Sequence, residues 1–159
     1  SYDPVPVTPY PALTTPVVAD GMALPLGPPT SPSTVDVAPL VRPPGEMVLR
    51  LRLGPRQDWF TDEALELLFC RPYQISNDSN RVGTRLVGAA LPRAVAGELE
   101  SEGIVLGAVQ VPASGQPLVF LADHPTTGGY PVIGVVDAAD LPALAQARPG
   151  EKVRFHGSQ

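Results

Sequence analysis

Lysine and cysteine are almost absent from this chain. Cys70 is the only cysteine, which excludes a secreted scaffold held together by disulfides. Lys152 is the only lysine, and it lies in GEKVRF. A Walker-type phosphate loop, Schiff-base chemistry and a Met-Lys-Met biotin-attachment site are therefore excluded. The net charge of −5 and the pI near 4.9 argue against a nucleic-acid partner, because phosphate neutralisation requires a basic face.

The amino-acid sequence also shows no pattern typical of a cleavable signal sequence or of a membrane-spanning segment. Without a signal sequence, the expected location is the cytoplasm. Residues 103–122 carry no charge, but Pro112, Gln116 and Pro117 interrupt this stretch near its middle, which excludes a membrane span. The chain has 159 residues, of which 43% are hydrophobic, and this suits one domain with its own core. We expect no metal site.

Proline is concentrated near the start of the chain. Residues 1–45 hold twelve of the twenty-one prolines and four charged residues. Proline at this density prevents helices and central strands, yet the segment is too apolar for a free linker. We therefore expect an extended segment, with a turn and one short edge strand at residues 20–27, that packs on the barrel or on a partner. Residues 46–159 are expected to form the folded domain.

Apolar runs predict a mainly β fold with two short helices. Alternating leucines predict a half-buried strand over residues 46–53. Thr61 is placed to cap a helix over residues 62–69, with Phe60 packing on Leu65, and Asp140 to cap a second helix over residues 141–147. Six further strands are expected to close into one barrel: residues 73–76, 82–87, 104–111, 117–122, 132–136 and 152–155. The side chains expected in its core are those of Leu106, Val109, Val119, Leu121 and Val135.

Residues 101–134 contain most of the unusual residue choices. Two apolar runs separated by Pro-Ala-Ser-Gly predict a hairpin, and a polar, glycine-rich loop follows at residues 123–131. The backbone amides of residues 127–130 are candidates for binding an anion or an oxyanion, and the alternative is that Gly128-Gly129 simply forms a tight turn. Asp123 and His124 are disfavoured as an acid–base pair, because adjacent residues at a strand end point in opposite directions.

Several polar residues are open to two interpretations. Gln110 and Gln116 are neutral amides in apolar strands, and they either contact a substrate or bond to the barrel backbone. Asn80-Arg81 either places a guanidinium in a site or forms a surface salt bridge. Glu102 is either a capping residue or part of the site. Spacing alone therefore establishes no catalytic motif.

Four segments resemble a known family. LGPRQDWFT (53–61), SNDSNRVGTRLVG (76–88), residues 101–134 and DLPALAQARPGEKVRF (140–155) are similar to the biotin-dependent carboxyltransferase family. That family includes allophanate hydrolase subunit 2, the second half of the urea carboxylase transferase domain, the C component of 5-oxoprolinase and an antagonist of a sporulation-kinase inhibitor. The family usually has Asp where this chain has Asn80, and Arg-Gln where it has His124-Pro125.

The resemblance implies a cyclophilin-like β-barrel and a chain that corresponds to the C-terminal half of a family member. It also implies two protein partners. One is the N-terminal half of the family domain, and the other is a protein similar to both allophanate hydrolase subunit 1 and the B component of 5-oxoprolinase. Three functions follow as expectations: the C component of an ATP-dependent 5-oxoprolinase, the carboxyltransferase component that acts on urea, or a non-catalytic regulator. No cofactor is expected to be attached to this chain, although ATP or carboxybiotin is implied at a shared site.

The resemblance also suggests roles for individual residues. The substrate would be an amide or a urea, and negative charge would develop on its oxygen. Arg81, Gln110 and Gln116 would then act as oriented donors, and Asp123 would orient the substrate nitrogen. The expected substrate-binding residues are Asn80, Glu102, Thr126, Thr127, Gly128, Gly129 and Tyr130.

Overall fold

The computed structural model describes residues 20–23, 45–97 and 99–158. The strands are β1 (Glu46–Leu53), β2 (Tyr73–Ile75), β3 (Gly83–Val87), β4 (Glu102–Gly103), β5 (Ala108–Gln110), β6 (Leu118–Phe120), β7 (Thr127–Gly128), β8 (Val132–Val136) and β9 (Lys152–Gly157). The helices are α1 (Asp62–Cys70) and α2 (Leu141–Ala145), and a single 3-10 turn spans Gln57–Trp59.

Seven strands form a closed barrel in the order β1-β8-β5-β6-β3-β2-β9. Neighbouring strands are antiparallel except for β1 and β9, whose parallel pairing closes the barrel with Met47 opposite Val153 and Leu49 opposite Phe155. The predicted mainly β fold with one barrel and two short helices is confirmed. The six strands expected in the barrel leave out β1, which the structure adds as the seventh.

Alternation along the strands fills the barrel interior. Met47, Leu49 and Leu51 of β1 point inward, whereas Val48 and Arg50 are exposed. The predicted burial of Val109, Val119 and Leu121 is confirmed. These side chains belong to one large cluster that also contains Tyr73, Ile133, Val153 and Phe155. Burial of this cluster is the main favourable term that holds the barrel together.

The predicted burial of Leu106 is wrong, because its side chain is 45% exposed. β5 begins only at Ala108, and the preceding residues form a turn in which the Ala108 N–H donates to the Val105 carbonyl. Gly107 has a φ of +82° in this turn, and a Cβ there would lie 2.8 Å from the Val136 carbonyl oxygen. Glycine therefore interrupts the apolar run. Val135 is only partly buried, which also departs from the prediction.

The two helices differ in how they begin. Thr61 caps α1 as predicted, since its hydroxyl accepts a hydrogen bond from the Ala64 N–H at 3.1 Å. Asp140 precedes α2 but makes no side-chain capping bond, and the helix ends at Ala145 rather than at residue 147. The predicted capping role of Asp140 is therefore wrong, and its carboxylate bonds to Arg50 instead.

β4 and β7 form a two-stranded ribbon outside the barrel. Beside it, a second apolar cluster covers the outer surface of β5 and β6, formed by Ile104, Ala108, Leu118 and Phe120 with Val132 packed against it. β5 and β6 are consequently buried on both faces, as the continuous apolar runs predict.

The chain divides into two units, residues 1–40 and 41–159. In the first unit the described residues are 20–23, where the predicted turn lies at Asp20-Gly21; the rest of the predicted edge strand falls outside the described residues. No helix within the described part of the chain is long and apolar enough to cross a membrane.

Candidate functional site

A cavity of about 470 Å³ lies at one end of the barrel. Three parts of the chain meet there: the turn before β3, the turn before β5, and the segment that follows β6. Helix α2 and Ala138, which lies three residues before it, supply the remaining wall. The lining residues are Asn80, Arg81, Leu106, Leu121, Ala122, Ala138, Leu141, Pro142 and Ala145.

Arg81 supplies the charge that lines this cavity. Its Nε lies 2.8 Å from Oδ2 of Asp123, and the two side chains are 80% and 48% exposed. A guanidinium carries five N–H donors and a carboxylate offers about four acceptor positions, so a single contact leaves most of both groups available. The pair therefore presents a donor and an acceptor side by side at the edge of an apolar cavity.

The turn at Asn80 fixes the position of Arg81. The Asn80 side-chain oxygen accepts from the backbone N–H groups of Val82 at 2.9 Å and Gly83 at 3.3 Å. The Asn80 N–H in turn donates to the Gly83 carbonyl. Asn80 thus shapes the turn from which Arg81 extends.

A second ion pair anchors the helical wall of the cavity. The guanidinium of Arg50 donates to both carboxylate oxygens of Asp140, and the Arg50 backbone N–H donates to the same carboxylate at 2.8 Å. Asp137 lies 3.6 Å from the same guanidinium. The Arg50 hydrogen bonds lower the pKa of Asp140 below its usual value of 3.8, against a smaller opposing effect of burial. Sequence reasoning missed this role, because the partners are far apart in the chain.

The glycine-rich loop makes a different set of contacts. Thr127 and Gly128 form β7, in which Gly128 lies opposite Glu102, and the Leu99 N–H donates to the Gly129 carbonyl. Neither Gly128 nor Gly129 has a positive φ. Thr127 and Gly128 are therefore part of a β-ribbon, and residues 127–130 are not among the described residues that line the cavity with Arg81.

Glu102 is held by Arg56. The Nε and a terminal nitrogen of Arg56 both donate to the Glu102 carboxylate. This hydrogen bonding lowers the pKa of Glu102, while burial acts in the opposite direction. Glu102 thus ties the ribbon to the loop after β1.

Gln110 is buried beneath the ribbon. Its side-chain Nε2 donates to the Tyr130 carbonyl at 3.1 Å. A Cβ at Gly128 would lie 2.7 Å from this nitrogen, so a larger residue there would displace the Gln110 amide. Arg93, 5.8 Å from the Tyr130 ring centre, donates to the Val111 carbonyl from the same region. Of the two interpretations offered for Gln110, this packing agrees with a hydrogen bond to the backbone and not with contact to a substrate.

Gln116 lies at the other end of β3 from Arg81, on the order of 20 Å away at about 3.3 Å per residue. Its amide donates to the Gly88 carbonyl at 3.2 Å and accepts from the Gly88 N–H at 2.8 Å. The structure thus brings Arg81 and Asp123 together and leaves Gln110 and Gln116 in two other places. Thr126 contributes its carbonyl to the Ile104 N–H, next to the ribbon.

His124 is half-buried beside the site. Its Nδ1 lies 2.9 Å from the Pro125 carbonyl oxygen, and its ring packs edge-on against Phe120 with centres 6.5 Å apart. These contacts direct His124 towards the outer apolar cluster. Within the described residues, no cluster of three or more His, Cys, Asp or Glu side chains is arranged to hold a metal ion.

This chain is similar to proteins of known type. It is 41% identical over 107 residues to the C component of 5-oxoprolinase from Escherichia coli K12. The aligned region covers 67% of this chain and 34% of that protein. Urea amidolyase of Lachancea kluyveri is 27% identical, over 76% of this chain and 7% of that protein. The crystal structure of TTHA0988 superposes with a TM-score of 0.63 at 43% identity, over 76% of this chain and 23% of that one.

The chain therefore spans about a third of the length of the E. coli relative. The family model for the carboxyltransferase domain, subdomain A and B, matches residues 12–157, which is most of the chain. This chain belongs to the carboxyltransferase domain, subdomain A and B, family.

Proposed function

We propose that this chain is part of an ATP-dependent 5-oxoprolinase complex in the cytoplasm, and that it binds the cyclic amide at Arg81 and Asp123. The observation that carries the proposal is the 41% identity to the C component of 5-oxoprolinase, compared with 27% to urea amidolyase. The chain covers only part of that component, so the activity belongs to the assembled complex. The chain alone is inactive.

The Arg81–Asp123 pair suits the substrate. In a five-membered lactam the N–H and the C=O lie on the same side of the amide bond, one a donor and one an acceptor. The Asp123 carboxylate accepts the N–H, and the terminal nitrogens of Arg81 donate to the carbonyl oxygen. As the ring opens, negative charge develops on that oxygen, and Arg81 stabilises it when a partner covers this exposed pair and excludes water.

We propose that ATP binds outside this cavity. A triphosphate is usually bound by several cations or by a helix N-terminus that presents its amides. Among the described residues that line the cavity, Arg81 is the one cation, and Asp123 offsets its charge. We therefore assign ATP binding to a partner. We propose two candidates for this partner. One is a protein similar to both the B component of 5-oxoprolinase and allophanate hydrolase subunit 1. The other is the remaining part of the family domain.

A surface around the cavity is available to such a partner. Val82, Val105 and Leu106 are between 37% and 54% exposed and lie on the turns before β3 and β5. Exposed apolar side chains that cluster around a site are typical of an interface. We propose that the partner covers these three residues when the complex forms.

The test is to co-express this chain with the candidate partner proteins and to measure ATP-dependent release of glutamate from 5-oxoproline. We expect turnover by the complex and none by the purified chain. Turnover by the chain alone contradicts the requirement for a partner. An assembled complex that leaves 5-oxoproline intact contradicts the proposed reaction.

The second candidate is the carboxyltransferase component that acts on urea, and the similarity to urea amidolyase supports it. Urea also presents an N–H and a C=O to the Arg81–Asp123 pair. Urea-dependent decay of carboxybiotin by the same complex, without glutamate release, would favour this function. A complex with neither activity that binds a kinase inhibitor would favour the regulator.

A further inference from the structure

The end cavity is larger and less polar than 5-oxoproline requires. It measures about 470 Å³. A protein cavity of about 150 Å³ holds benzene, which has six non-hydrogen atoms, so the nine non-hydrogen atoms of 5-oxoproline correspond to roughly 230 Å³. Of the nine lining residues in the described part of the chain, Asn80 and Arg81 are polar and the other seven are apolar. The ring of 5-oxoproline therefore leaves a substantial part of the apolar wall uncovered.

The described lining of the cavity combines an ion-pair partner with apolar side chains. Arg81 lines the cavity and its Nε contacts Asp123. The apolar lining residues include Leu106, Pro142 and Ala145, which are exposed, and Leu121 and Leu141, which are buried. A cavity that is mostly apolar and carries a few convergent polar groups is typical of a small-molecule site.

We propose that this cavity is a subsite for the apolar body of a cyclic-amide ligand, and that besides 5-oxoproline it binds lactams with larger apolar rings or substituents. The inference rests on the proposed function for the amide end, where Asp123 accepts the N–H and Arg81 donates to the C=O. The added claim concerns the apolar end, which α2 and Leu106 form. The chemical class is a lactam with several more methylene groups than 5-oxoproline.

Arg50 and Asp140 act as positioning residues for this subsite. They hold the start of α2 against β1, and α2 supplies Leu141, Pro142 and Ala145 to the wall. A five-residue helix is too short to be stable by itself, so its placement depends on such contacts.

The first experiment is a titration of the ¹⁵N-labelled 159-residue chain with 2-pyrrolidinone, 2-piperidone and caprolactam, followed by NMR. We expect shifts in the amides of residues 106, 121, 122 and 145. Affinity should rise about fourfold per ring methylene, which corresponds to ~0.8 kcal/mol per buried CH₂. Equal affinity for all three rings, shifts outside the cavity, or no binding would overturn the inference.

N-methylcaprolactam separates amide recognition from simple apolar burial. It adds a methyl group but removes the N–H that Asp123 would accept. We expect it to bind at least tenfold more weakly than caprolactam, because the Asp123 carboxylate then loses a hydrogen bond on desolvation. Tighter binding of the methylated ring would overturn the Asp123 contact.

A matched pair of variants tests the location. Ala145 and Ala143 are both exposed on α2, but only Ala145 lines the cavity. We expect Ala145→Phe to lower caprolactam affinity at least tenfold and Ala143→Phe to leave it unchanged. Equal effects would place the ligand elsewhere. Lactam binding by a chain whose complex fails to open 5-oxoproline would contradict the proposed function while leaving this subsite intact.

Discussion

Arg50 and Asp140 lie ninety positions apart in the chain, and the Arg50 backbone N–H and guanidinium both donate to the Asp140 carboxylate at 2.8 Å. The bond joins β1 to the start of α2. Asp137 lies 3.6 Å from the same guanidinium and adds a weaker attraction. The wall of the end cavity therefore depends on an ion pair outside the barrel.

Asp140→Asn should lower the free energy of unfolding by about 1 kcal/mol at pH 7, since a charge-assisted bond is lost from a partly exposed pair. Because the native pKa of Asp140 is lowered, its contribution is present above the usual value of 3.8 and disappears as pH falls through the native pKa. Urea denaturation at pH 7 and below pH 4 measures both effects. A difference between wild type and variant that stays constant across this range would contradict the assignment.

Asp123→Ala in the assembled complex should reduce turnover on the order of 10²-fold and leave stability within ~1 kcal/mol, because the exposed pair with Arg81 contributes little to folding. Turnover and thermal unfolding are measured on the same preparation. Glu66→Ala, which removes an exposed carboxylate from α1, is the control and should retain full activity. Unchanged turnover in a folded Asp123→Ala complex would remove this residue from the site.

Leu121→Ala and Leu106→Ala remove the same atoms from two positions beside one cavity. Leu121 is 7% exposed and belongs to the main core, so its truncation should lower the free energy of unfolding by about 2–4 kcal/mol. Leu106 is 45% exposed, and its truncation should cost less than ~1 kcal/mol. Chemical denaturation compares the two. Similar losses would mean that Leu106 is buried in solution.

Tyr73→Phe should leave stability unchanged or raise it. The Tyr73 ring is fully buried in the barrel and packs edge-on against Phe155, but its hydroxyl has no hydrogen-bond partner among the described residues. Removing an unsatisfied buried hydroxyl removes a desolvation cost of roughly 1–3 kcal/mol. A loss of more than ~1 kcal/mol in thermal or urea unfolding would point to an internal water bound at this hydroxyl.

The same variant has a consequence in alkaline solution. Burial raises the pKa of Tyr73 from 10 to about 12, so the folded state holds its proton more tightly than the unfolded state does. The contribution of the protonated Tyr73 hydroxyl to the free energy of unfolding is complete below pH 10 and is lost as pH rises towards 12. The advantage of Tyr73→Phe over wild type should therefore grow across this interval.

Much of the fold followed from local sequence patterns. The bounds of β1 and β8 agree with the prediction, because the apolar residues of β1 match the two-residue period of a strand and β8 is a short continuous apolar run. Thr61 also acts as predicted, since a helix cap depends on residues only three positions apart. The hairpin of β5 and β6 is confirmed because Pro-Ala-Ser-Gly separates two short apolar runs.

The site depended on contacts between residues far apart in the chain. Periodicity indicates which face of β1 is buried, but the parallel pairing of β1 with β9 requires closure of the whole barrel. Asp140 has the sequence context of a helix cap, and only the position of Arg50 on a neighbouring strand gives its carboxylate a stronger partner. Leu106 has the sequence context of a strand residue until the Gly107 turn exposes it. The sequence by itself determined which segments are strands, because that depends on neighbouring residues; the barrel's closure decided which side chains meet, because that depends on the register of strands distant in sequence.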